Sequence, residues 1–419
     1  MIYLTATGRN DWDSRLAFSD YKSFFYPSIG LSAILTSMFN APDWLTYLKV
    51  RGSYTEVGNS YGRFMTTVTY PYDEQTQSWT STSSYPNTKL KPERTKSWEV
   101  GLDARILNDI SLNLTYYRSN TYNQTFYADL SLSSGYSNIP IQSGNIMNEG
   151  LEMSLGYNKQ WKDFSFNTNY TLTWNKNRVK RLADGVYNYA TGQPIQMPEL
   201  SPLTYGHTDA RLILRVGGSM GDVYGQRLLK RDLNGYILNE EGVGLAMENK
   251  ETYLGSILPK MNMGWSLGFG YKGVNLGMTF TGRFGGIVIS ETQSVLDAAG
   301  VSKVSADVRD AGGVQINQSK VSAQTYYQTI QGTAAYYTYS ATNVRLGELS
   351  LSYTLPKKWF DNKVGMTVGL VGKNLWMIYC KAPFDPELSA STSSNYYMNV
   401  DYFMQPSLRN FGFNVKVQF

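Results

Sequence analysis

Glu240-Glu241 and the spaced pair Asp385 and Glu387 are carboxylates close enough in sequence for acid–base or metal chemistry. Both pairs read more simply as solvated loop charges. The single histidine, His207, has no second histidine to share a metal with, and the single cysteine, Cys380, rules out a disulfide scaffold and a cysteine-rich zinc site. Asp232-Leu233-Asn234-Gly235, followed by Glu240 and Glu241, faintly resembles a calcium loop. It lacks the one-three-five ligand spacing with glycine at six, so a plain hairpin turn is the simpler reading. Residues 218–225 (GSMGDVYG) are glycine-rich, but no Lys-Ser/Thr follows to make a phosphate loop. No catalytic set emerges, and no cofactor or metal is expected; the sequence does not read as an enzyme.

Aromatic rings set among hydroxyls and amides are the better candidates. Tyr72, Trp79 and Tyr85 lie in one polar stretch, Tyr127 and Tyr136 in the next, then Tyr187 and Tyr189, Tyr336 and Tyr337, and Tyr396 and Tyr397 with Asp385 upstream. Aromatic faces stack on the apolar face of a sugar ring, while Asn, Asp and Ser hydrogen-bond its hydroxyls. The competing reading is that such rings pack on one another or on a protein partner, since tyrosine is enriched in recognition surfaces generally.

The elements that position these rings are strands. Between residues 97 and 106, Trp98, Val100, Leu102, Ala104 and Ile106 alternate with Glu99, Gly101, Asp103 and Arg105. Ile110, Leu112, Leu114 and Tyr116 continue the pattern after an Asn108-Asp109 turn, and Leu151, Met153, Leu155 and Tyr157 repeat it. The chain closes on Phe411, Phe413, Val415, Val417 and Phe419. We count about fourteen candidate strands, many of ten or more residues, against a mean of ~5–6 in soluble proteins. Two of them, near 212–216 and 223–229, are faint. Strands of ~9–11 residues are the length that crosses a bilayer when tilted. Between 343 and 355 the apolar phase slips, with Val344 and Leu346 out of step with Leu349, Leu351 and Tyr353, which predicts a bulge.

Short connections fall at 108–109, 160–163, 272–273 and 356–363, and long ones at 58–92, 122–145, 180–209, 285–342 and 377–406. Short turns on one side and long loops on the other are the habit of outer-membrane barrels. With 17% charged residues, 14% aromatic and 42% hydrophobic, the chain is too aromatic and too weakly charged for disorder. Its net charge of +5 is dispersed and makes no nucleic-acid surface. The fold expected is all-β, an antiparallel transmembrane β-barrel, with Leu112, Leu114, Leu151, Leu155 and Phe280 facing lipid.

Several segments in order resemble the C-terminal part of SusC-like (SusC/RagA-type) TonB-dependent outer-membrane transporters. They are residues 3–11 (YLTATGRND), 25–31 (FYPSIGL), 48–59 (LKVRGSYTEVGN), 90–103 (LKPERTKSWEVGLD), 144–155 (GNIMNEGLEMSL), 254–260 (LGSILPK), 345–356 (RLGELSLSYTLP), 369–375 (GLVGKNL) and 383–387 (PFDPE). Phe419 matches the C-terminal aromatic that serves as an assembly signal in many such proteins. The resemblance implies a barrel of about 22 strands filled by an N-terminal plug, in the outer membrane of a Gram-negative bacterium. It also implies a SusD-like surface lipoprotein as partner, TonB engaged through the N-terminal part, and a glycan, oligosaccharide or peptide as ligand. On this reading residues 1–419 are the C-terminal portion of the barrel, and the signal peptide, plug and early strands lie outside them. The chain by itself is expected to leave strand edges open at Met1 and at 411–419, as a half-pipe, and not to transport alone. A truncated, non-transporting remnant and a soluble β-rich carbohydrate-binding protein are the competing expectations.

Overall fold

The computed structural model describes residues 1–142, 144–182, 199–204, 208–233, 235–236, 245–316, 319–361, 363–388 and 399–419. Twelve long antiparallel strands dominate it. We label them β1 (Ile2–Trp12), β2 (Ser23–Ile34), β3 (Leu45–Asn59), β4 (Glu93–Ile106), β5 (Ile110–Tyr122), β6 (Asn145–Trp161), β7 (Phe164–Arg181), β8 (Met261–Tyr271), β9 (Val274–Phe284), β10 (Asn343–Leu355), β11 (Gly365–Cys380) and β12 (Asn410–Gln418). The chain divides into two compact units, the first built on β1–β8 and the second on β9–β12.

In the first unit the register turns alternation into two continuous faces. Leu102, Leu114, Met153 and Leu172 are direct cross-strand partners, as are Val100, Tyr116, Leu151 and Trp174. The opposite face carries the rows Gly101, Thr115, Glu152, Thr173 and Glu99, Tyr117, Gly150, Asn175. A sheet buried on one face only would show one dry face; here Val100 is 52% exposed, so the apolar face has no protein over it. Hydrophobic side chains left in contact with solvent across several strands require another apolar medium, which in a chain of this pattern is lipid.

Glycine shapes the polar face. The Tyr117 ring crosses Gly150 to donate its hydroxyl hydrogen to Asn175 Oδ1 at 3.1 Å. A Cβ at Gly150 would stand 2.6 Å from the Trp174 carbonyl oxygen and from the Tyr117 ring. Gly150→Ala therefore has to displace both, and we expect a loss of about 1–3 kcal/mol, read as a lower urea midpoint of the folded protein. An unchanged midpoint would mean that Tyr117 rotates away freely.

In the second unit Leu276, Leu351, Leu370 and Phe413 form one apolar row, and Val274, Tyr353, Val368 and Val415 the next. The slip expected in β10 is a bulge: pairing with β9 jumps from Thr279–Glu348 to Phe280–Leu346, which leaves Gly347 unpaired and resets the alternation. β12 pairs with β11 along one side, and all nine of its residues are exposed. β1 pairs with β2 and is likewise largely exposed.

Two expectations need revision. The faint strands exist, as Arg211–Arg215 and Asp222–Leu229, but they do not extend the run of long strands. They pair with each other, and the second pairs with Met247–Ser256, over a core of Ala210, Val223, Ile257, Ile289, Ala334 and Val400. They are short and buried rather than long and two-faced, so period two is lost. The last long connection begins after Cys380, not at Met377, because β11 continues to that residue.

The 285–342 connection also carries three eight-residue helices, α1 (Glu291–Ala298), α2 (Lys303–Asp310) and α3 (Ala323–Ile330). Each starts on a serine that accepts a backbone N–H three residues on: Ser290 from Gln293, Ser302 from Ser305 and Ser322 from Thr325. Two turns are too few for a 3.6-residue periodicity to stand out.

Candidate functional site

The long connections 60–92 and 123–144 of the first unit fold onto each other. Tyr85 N donates to Asn138 O at 2.8 Å and Ser137 N to Ser83 O at 2.7 Å, a short bridge between the two loops. Asn87 Nδ2 reaches Pro140 O at 2.9 Å. Gln142 clamps the base of the assembly: Nε2 donates to Lys91 O at 2.6 Å and to Asn123 O at 3.0 Å, and Oε1 accepts from Lys91 N at 2.9 Å. Three backbone groups that would otherwise need water are satisfied by one amide side chain.

On this frame stand five of the aromatic candidates. Tyr72–Asp73 and Ser78–Trp79 form a hairpin in which Tyr72 faces Trp79 with ring centroids 5.1 Å apart. Asp73 closes its turn by accepting from Gln75 N at 2.8 Å and Thr76 N at 3.2 Å. Those N–H groups, Thr76 first and then Gln75, hold the Asp73 carboxyl below its ordinary range. Trp79 is 71% exposed, so one indole face is free. Tyr85 meets Tyr136 edge-on at 5.1 Å and 88°. Tyr127 projects from the strand Thr125–Asp129, opposite Pro140, while its neighbours Phe126 and Ala128 pack with Ile139 and Ile141. Alternation explains the split: successive residues of the strand face opposite ways.

The other candidates fare differently. Tyr187, Tyr189, Tyr396 and Tyr397 lie outside the described residues, as do His207, Asn234, Glu240 and Glu241. Tyr336 accepts from Leu229 N at 3.1 Å through its hydroxyl, and so serves as a brace. Tyr337 is 3% exposed, packed with Leu229, Ile316 and Ile330, and burial raises its phenol far above the ordinary value. A ring enclosed in this way offers no face for stacking, which corrects its place among the loop candidates.

Asp385 is also a brace rather than an open ligand. Arg345 grips it with both arms of the guanidinium, Nη2 to Oδ1 at 2.7 Å and Nη1 to Oδ2 at 3.0 Å. Glu387 N donates to the same Oδ1 at 3.0 Å, and Asn343 Nδ2 ties the Glu387 carboxylate at 3.1 Å. Burial pushes the Asp385 carboxyl up, but Arg345 and the Glu387 N–H outweigh it and hold the group below its ordinary range. Arg345 escaped the sequence reading because its partner is forty residues away and no periodicity links them. The Cys380 thiol contacts the carbonyls of Ala382 (3.4 Å) and Phe384 (3.6 Å) in the same corner. Phe419 ends the chain fully exposed.

Among the described residues no group of three or more His, Cys, Asp or Glu could hold a metal ion. On the polar face of the first unit lies a cavity of about 490 Å³, lined by amides and hydroxyls such as Ser111, Asn158, Asn167 and Asn169 with Arg105. Stacking and hydrogen bonding are what these surfaces offer.

The family described as TonB dependent receptor-like, beta-barrel matches residues 2–375. TonB-dependent receptor P3 of Formosa agariphila is 25% identical over an alignment covering 99% of this chain and 44% of that protein. TonB-dependent receptor SusC of Bacteroides thetaiotaomicron is 27% identical over 154 residues, 36% of this chain and 14% of its own length. The RagAB peptide importer in its open-open state has the same fold, with a TM-score of 0.73 and 21% identity over 100% of this chain and 45% of that one. The chain thus spans less than half the length of these relatives. No described helix is long and apolar enough to cross a membrane, which leaves crossing by strands untouched. A polar-and-apolar sheet of this kind is that of an outer-membrane barrel, and the chain belongs to the TonB-dependent receptor β-barrel family.

Proposed function

We propose that this chain forms barrel wall and outer loops of an outer-membrane importer of the SusC/RagA type. Ligand is captured at the loop aromatics and passes along the polar face of the strands. A SusD-like surface lipoprotein is the partner at the loops. TonB supplies the energy through an N-terminal plug that lies outside these residues. Glycans and oligosaccharides are the first ligand class, with peptides as the second.

The observation that carries this reading is the pair of aromatic contacts, Tyr72 with Trp79 and Tyr85 with Tyr136, held on two loops that hydrogen-bond to each other. A scaffold with satisfied backbone groups keeps exposed rings in fixed places, which lowers the ordering cost of binding. The wall of amides and hydroxyls, with Arg105 and Asp109 among them, fits a hydrated polar ligand. Changing Trp79 and Tyr85 to Ala in the full receptor is expected to cut uptake of a cognate oligosaccharide about tenfold or more, the loss of ~1–3 kcal/mol typical of removed aromatic anchors. Outer-membrane abundance should stay unchanged. Equal falls in abundance and uptake would assign these rings to folding, and unchanged uptake would remove them from the path.

A further inference from the structure

The apolar face of β9–β12 is not uniform. Val368 and Val415 are cross-strand partners, and beside them runs the taller row Leu351, Leu370 and Phe413. Short β-branched residues between a high row and the Tyr353 ring leave a trough of about 480 Å³ whose lining is almost wholly carbon. Leu351 is 49% exposed and Leu370 65%, both on strands paired on each side, so the protein leaves the trough open. Its width and lining suit an acyl chain, and they offer nothing to a polar ligand.

The trough lies toward the end of the strands where β10 turns into β11. That connection, from Pro356 to Val364, carries Lys357, Lys358, Trp359 and Lys363 with Asp361 as its one acid, three positive charges against one. The three lysines are exposed, and no ion pair among the described residues takes them up. Trp359 is 61% exposed, the placement of an interfacial anchor. Tyr353 lies two residues before the end of β10 and Val368 three after the start of β11, which at ~3.3 Å per strand residue puts the trough roughly 7–10 Å from the ends of the strands, where Lys357 Cε comes within 3.6 Å of the place a Cβ at Gly365 would take. That is within half a hydrocarbon layer, about 15 Å. A chain lying in the trough therefore brings its headgroup to the basic turn.

We propose that this face is a binding site for an anionic glycerophospholipid, its acyl chain in the Val368–Val415 trough and its phosphate among Lys357, Lys358 and Lys363. Short turns of such barrels face the periplasm, so the lipid belongs to the periplasmic leaflet. Neutral and anionic lipids fill the trough alike; the lysines supply the selectivity. The proposal rests on the outer-membrane reading given above, and heat-modifiable migration tests that reading separately, since it reports the folded barrel with or without lipid.

The test uses the full receptor, stripped of lipid in detergent and titrated with phosphatidylglycerol or phosphatidylethanolamine of equal chain length, with native mass spectrometry as readout. Phosphatidylglycerol should bind at least tenfold more tightly. Changing all three lysines to glutamine (K357Q, K358Q and K363Q) should bring the two lipids within about twofold. Val368→Trp should weaken both by filling the trough; if that variant fails to fold, the lysine set, on an exposed turn, decides alone. Equal binding of the two lipids by the unaltered receptor, an undiminished preference in the lysine variant, or occupancy by lipid A or a second copy of the chain would overturn the proposal.

Discussion

Leu114→Arg should destabilise the folded protein by about 2–4 kcal/mol, the cost of an Arg near the bilayer midplane on a lipid-facing position. Leu114 is the fifth residue of the thirteen in β5, and its direct partners are Leu102 and Met153. An arginine there has no acceptor in the apolar row and must snorkel or thin the bilayer. Thr173→Arg is the matched control. It sits on the opposite face beside Glu152, where an exposed charge changes stability by no more than about 0.5 kcal/mol. Reversible folding into lipid vesicles, followed by denaturant midpoint, measures both. If the two arginines cost the same, the apolar face is not the lipid face.

Arg345→Met is expected to cost about 3–5 kcal/mol, because it leaves a buried carboxylate without its counter-ion. The side chains of Arg345 and Asp385 are 11% and 8% exposed, so solvent cannot replace the lost partner. The double change Arg345→Met with Asp385→Leu should recover much of that loss, since removing both charges also removes both desolvation penalties. The pH dependence has a definite sign. Asp385 is held below its unfolded value of about 3.9, so its contribution is complete above that value and is lost as pH falls through the lower folded value. Protection of the amides over residues 381–388, taken against the intrinsic exchange rate at each pH, should therefore stay high at pH 7 and fall only in strong acid. In Asp385→Asn protection of the same segment should be low at both pH values. Protection of that segment in Arg345→Met equal to the unaltered protein would sink the role assigned to this pair.

The long strands were legible in the sequence because each has two unlike surroundings. Lipid or solvent on the two sides selects residues with period two, and that signal survives in β4–β7 and β9–β12 without any knowledge of their neighbours. The bulge in β10 was legible for the same reason, since Val344 and Leu346 fall out of phase with Leu349 and Leu351. The strand Asp222–Leu229 was faint because both its sides are enclosed, with the adjacent Asp222 and Val223 at 7% and 0% exposure. The capped helices were missed at two turns each, although their serines were in plain view.

What sequence alone determined is therefore the class of fold and the run of long strands, though not that the segments near 212–216 and 223–229 stand apart from that run, nor where β11 ends. These depend on local alternation and turn chemistry, which each residue carries by itself. Tertiary structure alone decided which polar and aromatic residues are free. Tyr337 and Trp79 are both loop aromatics by position, yet one is 3% exposed and the other 71%. Asp385 looked like an open carboxylate until β10 brought Arg345 against it. Such pairings join residues tens of positions apart, and their closure entropy is met only when the whole sheet is in register. No local pattern records them, so the fold could be read along the chain while the site had to be seen across it.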